Sequence, residues 1–327
     1  MADLAPSEVC AVVVAYHPDW DALRARVEAI AAQVGTVVLV INACSESDHA
    51  QAARLVGRCE VIAEAANIGL AAAQNRGIAW ARTRGFGAVL LLDQDSLPAA
   101  GMVQALLDGR GACVAGGMRV GAVGPGFFDP RDGVAAPFVR IGFPFNRKLF
   151  CTPGAQAIGC DFLISSGSLV TMDVLDAVGA MDEGLFVDNV DLEWSFRARS
   201  HGYRLFGICA ARMRHALGEA RRPLPLGLRS VVVHSPLRLY YMMRNRVLLY
   251  ALPHTPWRWV AQDMMRLPVK FFLFAVIVGP RWKNVRYMLR GFLDGIRGRR
   301  GVAPLSLCLG CWPADQARPA ARKTRLR

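Results

Sequence analysis

The sequence Ala88-Val-Leu-Leu-Leu-Asp93-Gln94-Asp95-Ser96 places two aspartates directly after a run of apolar residues. A continuous apolar run of this length predicts a strand that is buried on both faces, as in a parallel sheet. Asp93 and Asp95 then lie at the mouth of the sheet, where carboxylates can hold Mg2+ or Mn2+ while the cation clamps a diphosphate. Two aspartates at this spacing are common by chance, and one could simply cap the next segment. Their position after a buried strand favours the metal site.

Strands and helices alternate before this motif. Alternation with short connections indicates an α/β fold with a doubly wound, mostly parallel sheet and right-handed crossovers. Ligands of such sheets bind beyond the carboxyl ends of the strands, so Tyr16, Asn42 and Asp93 mark the places where chemistry is expected. The predicted strands cover residues 9–15, 36–41, 60–63 and 88–92, and the predicted helices cover 19–33, 48–56 and 70–84.

The rest of the chain has weaker patterns. Residues 109–167 are rich in Gly, Pro and Phe and predict strands and long loops. A strand that leads into a helix is expected over 168–181, and a loop that enters a helix over 185–202. Beyond Pro236 the chain is helical, basic and aromatic, and from about residue 298 it is basic with little periodicity.

Charge is distributed unevenly along the 327 residues. Residues 1–200 contain 15 Lys and Arg against 22 Asp and Glu, a net charge of −7, whereas residues 201–327 contain 24 against 4, a net charge of +20. The chain is 53% hydrophobic, which predicts a sizeable core and excludes a disordered chain. The basic part could face nucleic acid, anionic lipid headgroups or a phosphorylated substrate.

The N-terminus and the cysteines predict a cytoplasmic protein. The first residues lack the basic region of a signal peptide, and the first apolar run is short and strand-like. Nine cysteines are scattered without a framework spacing, which predicts reduced, mostly packed thiols. Cys308 and Cys311 form a single CxxC without a second pair or a nearby His, a pattern that argues against metal binding or redox work.

The segment Asn67-Ile-Gly69-Leu-Ala-Ala-Ala-Gln-Asn75 has the features of a nucleotide pocket. A glycine turn lets the backbone approach a ligand, and the first N–H groups of a helix can bind its phosphates. Asn75 follows Asn67 by about two helical turns. The alternative interpretation is a plain helix cap with polar residues on an outer face.

Three acidic residues, Asp188, Asp191 and Glu193, lie at the predicted start of a helix. The helix dipole favours acids there, and capping accounts for one of them. A general base that activates an alcohol must be a group, such as a carboxylate, held close to the hydroxyl. The remaining acids are candidates for this role.

Two further polar features follow in the sequence. His215 comes after a short apolar stretch, and a lone histidine is more often structural than a ligand. Arg238, Tyr241 and Asn245 share one face of a predicted helix, with Arg244 beside them. This cluster could bind phosphate oxygens, or it could be a solvated basic face.

Together these segments resemble the nucleotide-sugar glycosyltransferases of family 2, which have the GT-A fold, and the similarity is greatest to bacterial rhamnosyltransferases that use dTDP-L-rhamnose. The resemblance covers about residues 9–250 in the order of the family's motifs. It is carried by Val-Val-Ala-Tyr16-His-Pro, Asn67-Ile-Gly-Leu-Ala-Ala-Ala-Gln-Asn75-Arg-Gly-Ile, Leu-Leu-Leu-Asp93-Gln-Asp95-Ser96, Phe162-Leu-Ile-Ser-Ser-Gly-Ser168, Phe186-Val-Asp188-Asn-Val-Asp191-Leu-Glu-Trp194, Arg214-His215 and Tyr240-Tyr241-Met-Met-Arg244-Asn245.

The resemblance implies a Rossmann-like, doubly wound mixed sheet and an inverting transfer of a sugar. Asp95 is then the principal ligand of Mg2+ or Mn2+, with Asp93 and His215 as further ligands. The positions that match the nucleotide-sugar site are Tyr16, Asn42, Asn67, Gly69, Asn75, Asp93 and Gln94. The candidates for contact with the acceptor or the diphosphate are Glu193, Trp194, Arg238, Tyr241, Arg244 and Asn245.

The chain departs from the family pattern at two places. Ile41 stands where relatives often have an Asp that recognises the base, which leaves the base contacts open. Many relatives read Glu-Asp-x-Asp at the catalytic segment, and here Asn189 takes the position of the usual base. Asp188 and Asp191 flank it, and either could take the proton; we prefer Asp191, with Asp188 second.

We therefore expect a GT-A catalytic domain over residues 1–235, a basic aromatic helical extension over 236–300 and a basic flexible tail over 301–327. The uncharged run over 271–279 is shorter than the ~20 residues that a spanning helix requires. The basic aromatic segment either lies in a bilayer interface or packs on the catalytic domain. With the positive charge, it predicts peripheral attachment to the inner face of the cytoplasmic membrane.

The expected reaction is the transfer of rhamnose from dTDP-rhamnose to a glycan or a polyprenyl-diphosphate-linked glycan in surface-polysaccharide synthesis. One alternative is the same fold with another donor, such as a UDP-hexose. Another is a non-catalytic nucleotide- or nucleic-acid-binding protein. Nucleic acid is not expected as a partner, because the positive charge lies away from the motifs and no nucleic-acid module is recognisable.

Overall fold

The computed structural model describes residues 4–55, 57, 59–129, 133–215, 220–222 and 231–308. The strands in these residues are β1 (Val9–Ala15), β2 (Thr36–Asn42), β3 (Glu60–Glu64), β4 (Ala88–Asp93), β5 (Leu97–Pro98), β6 (Val120–Phe128), β7 (Phe138–Arg140), β8 (Arg147–Leu149), β9 (Ala157–Cys160), β10 (Leu169–Thr171), β11 (Arg204–Arg214), β12 (Ala220–Arg222) and β13 (Val231–Val233). The helices are α1 (Trp20–Ala31), α2 (Glu46–Ala53), α3 (Leu70–Thr83), α4 (Met102–Ala115), α5 (Met172–Val178), α6 (Val190–Ser200), α7 (Pro236–Tyr250), α8 (Trp257–Phe272), α9 (Arg281–Ile296) and α10 (Leu305–Cys308).

A nine-stranded mixed sheet forms the centre of the fold. Its strands lie in the order β3-β2-β1-β4-β10-β6-β11-β5, and β9 also pairs with β11. The first half, β3-β2-β1-β4, is parallel, whereas β10 runs antiparallel to both β4 and β6. Because β1, β2 and β4 are parallel neighbours, their carboxyl ends lie together at one edge of the sheet.

Both faces of the central strands are buried, which explains their continuous apolar sequences. In β1, Val12 and Val14 pack into the layer that contains α3, α5 and α6, whereas Val13 packs into the opposite layer with α1 and α4. The α/β fold with a doubly wound mixed sheet, which the alternation and the family resemblance predict, is confirmed.

The sequence prediction is wrong for the beginning of the region over 109–167, where it places strands and loops. Residues 109–115 belong to the helix α4, which contains Gly109 and Gly111. A Cβ atom on Gly109 would lie 2.7 Å from side-chain atoms of Ile208 in β11. The glycine therefore allows the helix to approach the sheet closely, and packing outweighs its low helix propensity.

The helices that follow residue 235 pack against the segment before α6 and against one another. Tyr240 and Tyr241 on α7 are buried in one cluster with Phe186 and Tyr287. Within the described residues, no helix is both long and apolar enough to span a bilayer.

The cysteines differ in part from the expectation of reduced thiols. Cys151 and Cys209 form a disulfide between the segment after β8 and strand β11. Cys10, Cys44, Cys59, Cys113 and Cys160 are free. Cys311, the second cysteine of the CxxC, and most of the predicted tail lie outside the described residues.

Candidate active site

Three side chains of the types that bind metal ions meet at the carboxyl edge of the sheet, and we call them the metal-ligand cluster. Asp93 ends β4, opposite Val14 of β1, and Asp95 lies in the turn that follows. His215 comes directly after β11. One ligand atom from each of Asp93, Asp95 and His215 lies within 4.8 Å of the others, and the Nδ1 atom of His215 is 3.3 Å from Oδ1 of Asp95. The fold therefore assembles the predicted ligand set from three separate parts of the sequence.

Two serines hold this cluster in place. The Ser96 hydroxyl is hydrogen-bonded to Nδ1 of His215 at 3.0 Å and to the Ser166 hydroxyl. The backbone N–H of Asp93 donates to the Ser166 oxygen at 3.1 Å. Both serines are buried, so the cluster rests on a rigid polar base.

The electrostatics of the cluster suit a divalent cation. Burial raises the pKa of Asp93, and the charge of Asp95 raises it further against the opposing effect of His215. Burial by itself lowers the pKa of His215, but the hydrogen bond and charge of Asp95 outweigh it and the pKa is raised. Two carboxylates and an imidazole are donors that Mn2+ accepts, and the carboxylates suit Mg2+. The residues present fit a divalent metal ion.

A cleft of about 640 Å³ lies beside the cluster, between the ends of β1, β2 and β4 and the start of α7. Among its lining residues are Tyr16, Asn42, Asn67, Gly69 and Gln94, all predicted for the nucleotide-sugar site. Mostly apolar walls with a few convergent polar groups are typical of a ligand site.

The polar side chains of this cleft also form hydrogen bonds with one another and with the backbone. The Asn42 amide donates to Asn67 Oδ1 at 2.9 Å, and its oxygen accepts from the backbone N–H of Ile68 at 2.8 Å. Gln94 Oε1 accepts from the backbone N–H of Tyr16 at 2.7 Å. The first two bonds fix the end of β2 to the loop between β3 and α3, and the third fixes the loop after β1 to the loop after β4.

Gly69 and Phe186 form the corner where α3 begins. Gly69 has φ +89°, and a Cβ atom there would lie 2.6 Å from the Phe186 ring. The Phe186 ring stacks on Tyr241 at a centroid distance of 4.9 Å. The corner thus brings three parts of the chain together at the cleft: α3, α7 and the segment that precedes α6.

A smaller cavity of about 260 Å³ adjoins the cleft and contains the acidic segment. It is lined by Asp93, Asp95 and His215 on one side and by Asp188 and Asp191 on the other. Leu70, Asp93, Val187 and Arg238 line both spaces, so the two cavities are continuous. The metal-ligand cluster and the candidate bases therefore face one common space.

The two candidate bases have different surroundings. Asp188 is paired with Arg238, whose Nη2 atom lies 2.9 Å from its Oδ1 atom. The Asp191 carboxylate accepts a hydrogen bond from the Leu192 N–H. Burial raises the pKa of Asp191 to about 6, and the charges of Asp93 and Asp188 add to this against the effect of the Leu192 bond. A raised pKa of this kind suits a carboxylate that accepts a proton near neutral pH.

Three of the residues that were predicted to contact the donor or the acceptor are bonded to other parts of the protein. The Asn75 amide donates to the Met181 carbonyl and to Glu183, both at 2.9 Å. The Glu193 carboxylate is buried between Arg197, at 2.8 Å, and His254, at 3.0 Å. The indole of Trp194 donates to the Gly179 carbonyl.

Arg244 and Asn245 are also engaged with the backbone. Arg244 is fully buried and donates to the carbonyls of Leu185 and Gly301. Asn245 donates to the carbonyls of Leu185, Val187 and Asp188. These side chains hold the segment that carries Asp188, whereas Arg238 and Tyr241 from the same helix line the cleft.

Several residues at the site are absent from the sequence-based candidates. Ser166 and Ser96 support the metal-ligand cluster, and His17, Phe186 and Val187 line the cleft. Both serines lie in motifs that carry the family resemblance. The signal was therefore present in the sequence, but without assigned roles.

Comparisons with known proteins show what the chain is similar to. Residues 10–169 match the model of the glycosyl transferase family 2. The dTDP-rhamnosyl transferase RfbF of Shigella flexneri is 29% identical over 299 residues, which cover 90% of this chain and 97% of that protein.

Solved structures show the same fold at low sequence identity. S. aureus TarS 1–349 in complex with UDP-GlcNAc matches with a TM-score of 0.55 and 13% identity, over 91% of this chain and 82% of that one. GalNAc-T7 with UDP, GalNAc and Mn2+ matches with a TM-score of 0.56 and 13% identity over 88% of this chain. The present chain spans 56% of the length of GalNAc-T7. The family model, the relative and the fold agree with one another: the chain has the GT-A fold and resembles the family 2 glycosyltransferases, with rhamnosyltransferases among its relatives.

Proposed function

We propose that the protein transfers rhamnose from dTDP-L-rhamnose to a hydroxyl of a glycan or lipid-linked glycan, with inversion and with a divalent cation. The observation that carries this proposal is the common space lined by Asp93, Asp95 and His215 on one side and Asp191 on the other. The similarity over nearly the whole chain to a dTDP-rhamnosyl transferase supports the donor.

Asp93, Asp95 and His215 would hold Mg2+ or Mn2+. The bound cation supplies neutralisation of the charge that develops on the leaving diphosphate. Arg238 would bind diphosphate oxygens at the junction of the larger cleft and the smaller cavity, and its position in the lining of both supports this role. Tyr16, Asn67 and Gly69 would border the nucleoside in the larger cleft.

Asp191 would act as the general base in a single displacement. Its carboxylate takes the proton of the acceptor hydroxyl while that oxygen forms a bond to the anomeric carbon of rhamnose. The bond from the same carbon to the diphosphate oxygen breaks, and dTDP leaves with the electron pair. Attack opposite the leaving group inverts the anomeric configuration, and the cavity walls supply the in-line positioning.

A donor panel tests this function. Nucleotide release is measured for dTDP-rhamnose, a UDP-hexose and further nucleotide-sugars, each with Mg2+, with Mn2+ and with a chelator. Release of dTDP from dTDP-rhamnose alone, only with metal, is the expected result. Faster release of UDP would overturn the donor, and turnover that a chelator does not reduce would overturn metal dependence. NMR of the anomeric proton of the product reports the inversion.

We also propose attachment to an anionic membrane surface, through the outer face of α8. Apolar side chains on this face are 56% to 69% exposed, although they would be buried in an ordinary globular helix; they are Trp257, Met264, Met265, Val269 and Phe272. The exposed Arg258 and Arg266 are interspersed with them in the sequence. Such a helix can lie in a bilayer interface, where a lipid-linked acceptor would be within reach.

Sedimentation with phosphatidylglycerol vesicles tests this attachment. Met265→Glu with Val269→Glu should abolish binding, because two carboxylates would enter the apolar layer. Ala53→Glu with Ala115→Glu adds the same charge at exposed positions on α2 and α4 and serves as the matched control. Equal binding by both double variants would contradict the proposed surface.

A further inference from the structure

A second large cavity lies at the end of the sheet opposite to the nucleotide cleft and the smaller cavity, which we together call the catalytic cleft. Its volume is about 650 Å³, similar to that of the nucleotide cleft. Arg204 begins β11 and lines this cavity, whereas His215 follows the last residue of the same strand. A strand of 11 residues spans about 30 Å, so the cavity is remote from the metal-ligand cluster. Neither the proposed reaction nor the donor site uses it.

The lining of this cavity is strongly cationic. Four arginines reach it from four different elements: Arg140 from β7, Arg199 from α6, Arg204 from β11 and Arg258 from α8. Among its described lining residues, Asp161 is the only acid. We call this space the arginine cavity.

The arginines are held in place but leave most of their N–H donors available. Arg199 pairs with Asp161 at 3.0 Å, and Asp161 also accepts from the Ile141 N–H. Arg140 donates to the Gly159 carbonyl at 3.1 Å. Arg258 lies over the Trp257 ring at 5.7 Å. Each guanidinium has five donors, so these contacts orient the groups without satisfying them.

Gly159 forms part of the floor on which two of these groups converge. A Cβ atom there would lie 3.3 Å from Nη2 of Arg140 and 4.0 Å from Nη2 of Arg204. The absence of a side chain therefore leaves room between the two guanidiniums. Planar donors that converge on a recess suit the tetrahedral oxygens of a phosphate group.

The rim of the arginine cavity is aromatic and exposed. Trp257 is 67% exposed and lies 6.3 Å from the Phe143 ring, and the neighbouring Phe145 is 77% exposed. Gln262 on α8 fixes this loop, because its amide donates to the carbonyls of Gly142 and Pro144. Aromatic side chains beside arginines are typical of surfaces at the level of lipid headgroups.

We propose that the arginine cavity is a binding site for a phosphate group, separate from the catalytic cleft. Its aromatic rim, continuous with the exposed face of α8, favours the phosphate of a membrane lipid headgroup over that of a soluble compound. The lipid source rests on the proposed membrane attachment, whereas phosphate binding itself does not.

The test compares two double variants with equal charge change. Arg140→Ala with Arg204→Ala removes two cavity arginines that lie outside the attachment face of α8, and Arg54→Ala with Arg84→Ala removes two exposed arginines from other surfaces. In the soluble arm, binding of inorganic pyrophosphate is measured by calorimetry with the nucleotide cleft saturated by dTDP and a chelator present. In the lipid arm, sedimentation with phosphatidic acid vesicles in phosphatidylcholine is compared with phosphatidylcholine alone.

The cavity variant should lose about tenfold in affinity relative to the control variant in at least one arm. A loss with vesicles identifies a lipid headgroup, and a loss with pyrophosphate alone identifies a soluble phosphate compound. Gly159→Leu should reproduce the loss without a change of charge, because its side chain would occupy the recess. Equal affinities of the cavity and control variants in both arms would overturn the proposal.

Metal-dependent release of dTDP from dTDP-rhamnose by the same variants separates this proposal from the proposed function. Because the arginine cavity is remote from the catalytic cleft, release should be unchanged in the cavity variant, which also shows that the variant is folded. Failure of donor turnover in the unmodified protein would affect the proposed function alone.

Discussion

The Nδ1 atom of His215 lies 3.3 Å from the Oδ1 atom of Asp95, although the two residues are far apart in the sequence. Ser96 fixes the histidine through a second hydrogen bond to the same nitrogen. The imidazole is therefore held beside both carboxylates before any ligand binds. This preorganisation makes His215 part of the candidate metal site rather than an isolated structural residue.

His215→Gln should lower the apparent affinity for the metal ion by about tenfold or more. Even the loss of a residue that only hydrogen-bonds to a metal ligand costs that much. The measurement is the Mn2+ concentration that gives half-maximal release of dTDP. His49→Gln, on the exposed surface of α2, is the control. Unchanged Mn2+ dependence of the His215 variant would remove this residue from the site.

Asp95→Ala should abolish donor turnover without unfolding the protein, because the Asp95 side chain is partly exposed. Circular dichroism should remain that of the unmodified chain. Near-normal turnover in this variant would contradict the assignment of the metal site.

Asp191→Asn should reduce kcat by about 10² to 10⁴, the usual contribution of a general base. Asp188→Asn should raise the KM for the donor more than it lowers kcat, since Asp188 positions Arg238 at 2.9 Å. Steady-state kinetics of the two variants separate these effects. The reverse pattern would make Asp188 the base.

The pH dependence of kcat/KM provides an independent test of the base. Asp191 must be deprotonated to act, and burial raises its pKa to about 6, so kcat/KM should fall as the pH decreases below 6. A bound cation stabilises the carboxylate and would move this limb to lower pH. Asp188→Asn removes a charge that raises the pKa of Asp191. The fall in kcat/KM should therefore occur at lower pH in this variant. A shift to higher pH would contradict this arrangement.

The parallel half of the sheet was predictable from sequence because its strands are buried on both faces and read as continuous apolar runs. Val9–Ala15 and Ala88–Asp93 follow this rule. Helix α4 does not, because Gly109 is required by contact with Ile208, and a single sequence does not reveal a contact between distant residues.

The meeting of Asp93 with the polar ends of the neighbouring strands was predictable because the carboxyl ends of parallel strands lie together at one edge of the sheet. The roles of the polar residues on α7 were not. Arg238 and Asn245 share a helical face by spacing, but one lines the cleft and the other donates to three backbone carbonyls below it. A polar side chain that binds backbone has the same sequence pattern as one that binds a ligand.

This distinction predicts opposite effects of two arginine substitutions on α7. Arg244→Met should lower the free energy of unfolding by roughly 3 kcal/mol or more, because several buried carbonyls lose their donor. Arg238→Met should change stability little and raise the KM for the donor. Thermal denaturation and kinetics of both variants decide between the roles. A stable Arg244 variant with a raised KM would return Arg244 to the ligand-binding set.

Gly69→Ala tests whether the corner between α3 and Phe186 controls the cleft. The new Cβ atom would meet the Phe186 ring at 2.6 Å, and φ +89° with ψ 162° is a conformation that essentially only glycine adopts. We expect a loss of about 1–3 kcal/mol in the free energy of unfolding together with a raised KM for the donor.

Gly101→Ala is the matched control, because Gly101 also has a positive φ and begins a helix, but nothing lies within 4 Å of its Cβ position. Its substitution should cost backbone strain alone and leave the KM unchanged. Chemical denaturation gives the stability difference and nucleotide release gives the KM. If Gly69→Ala raised the KM no more than Gly101→Ala, the contact with Phe186 would have no part in donor binding, and the glycine would serve only the turn.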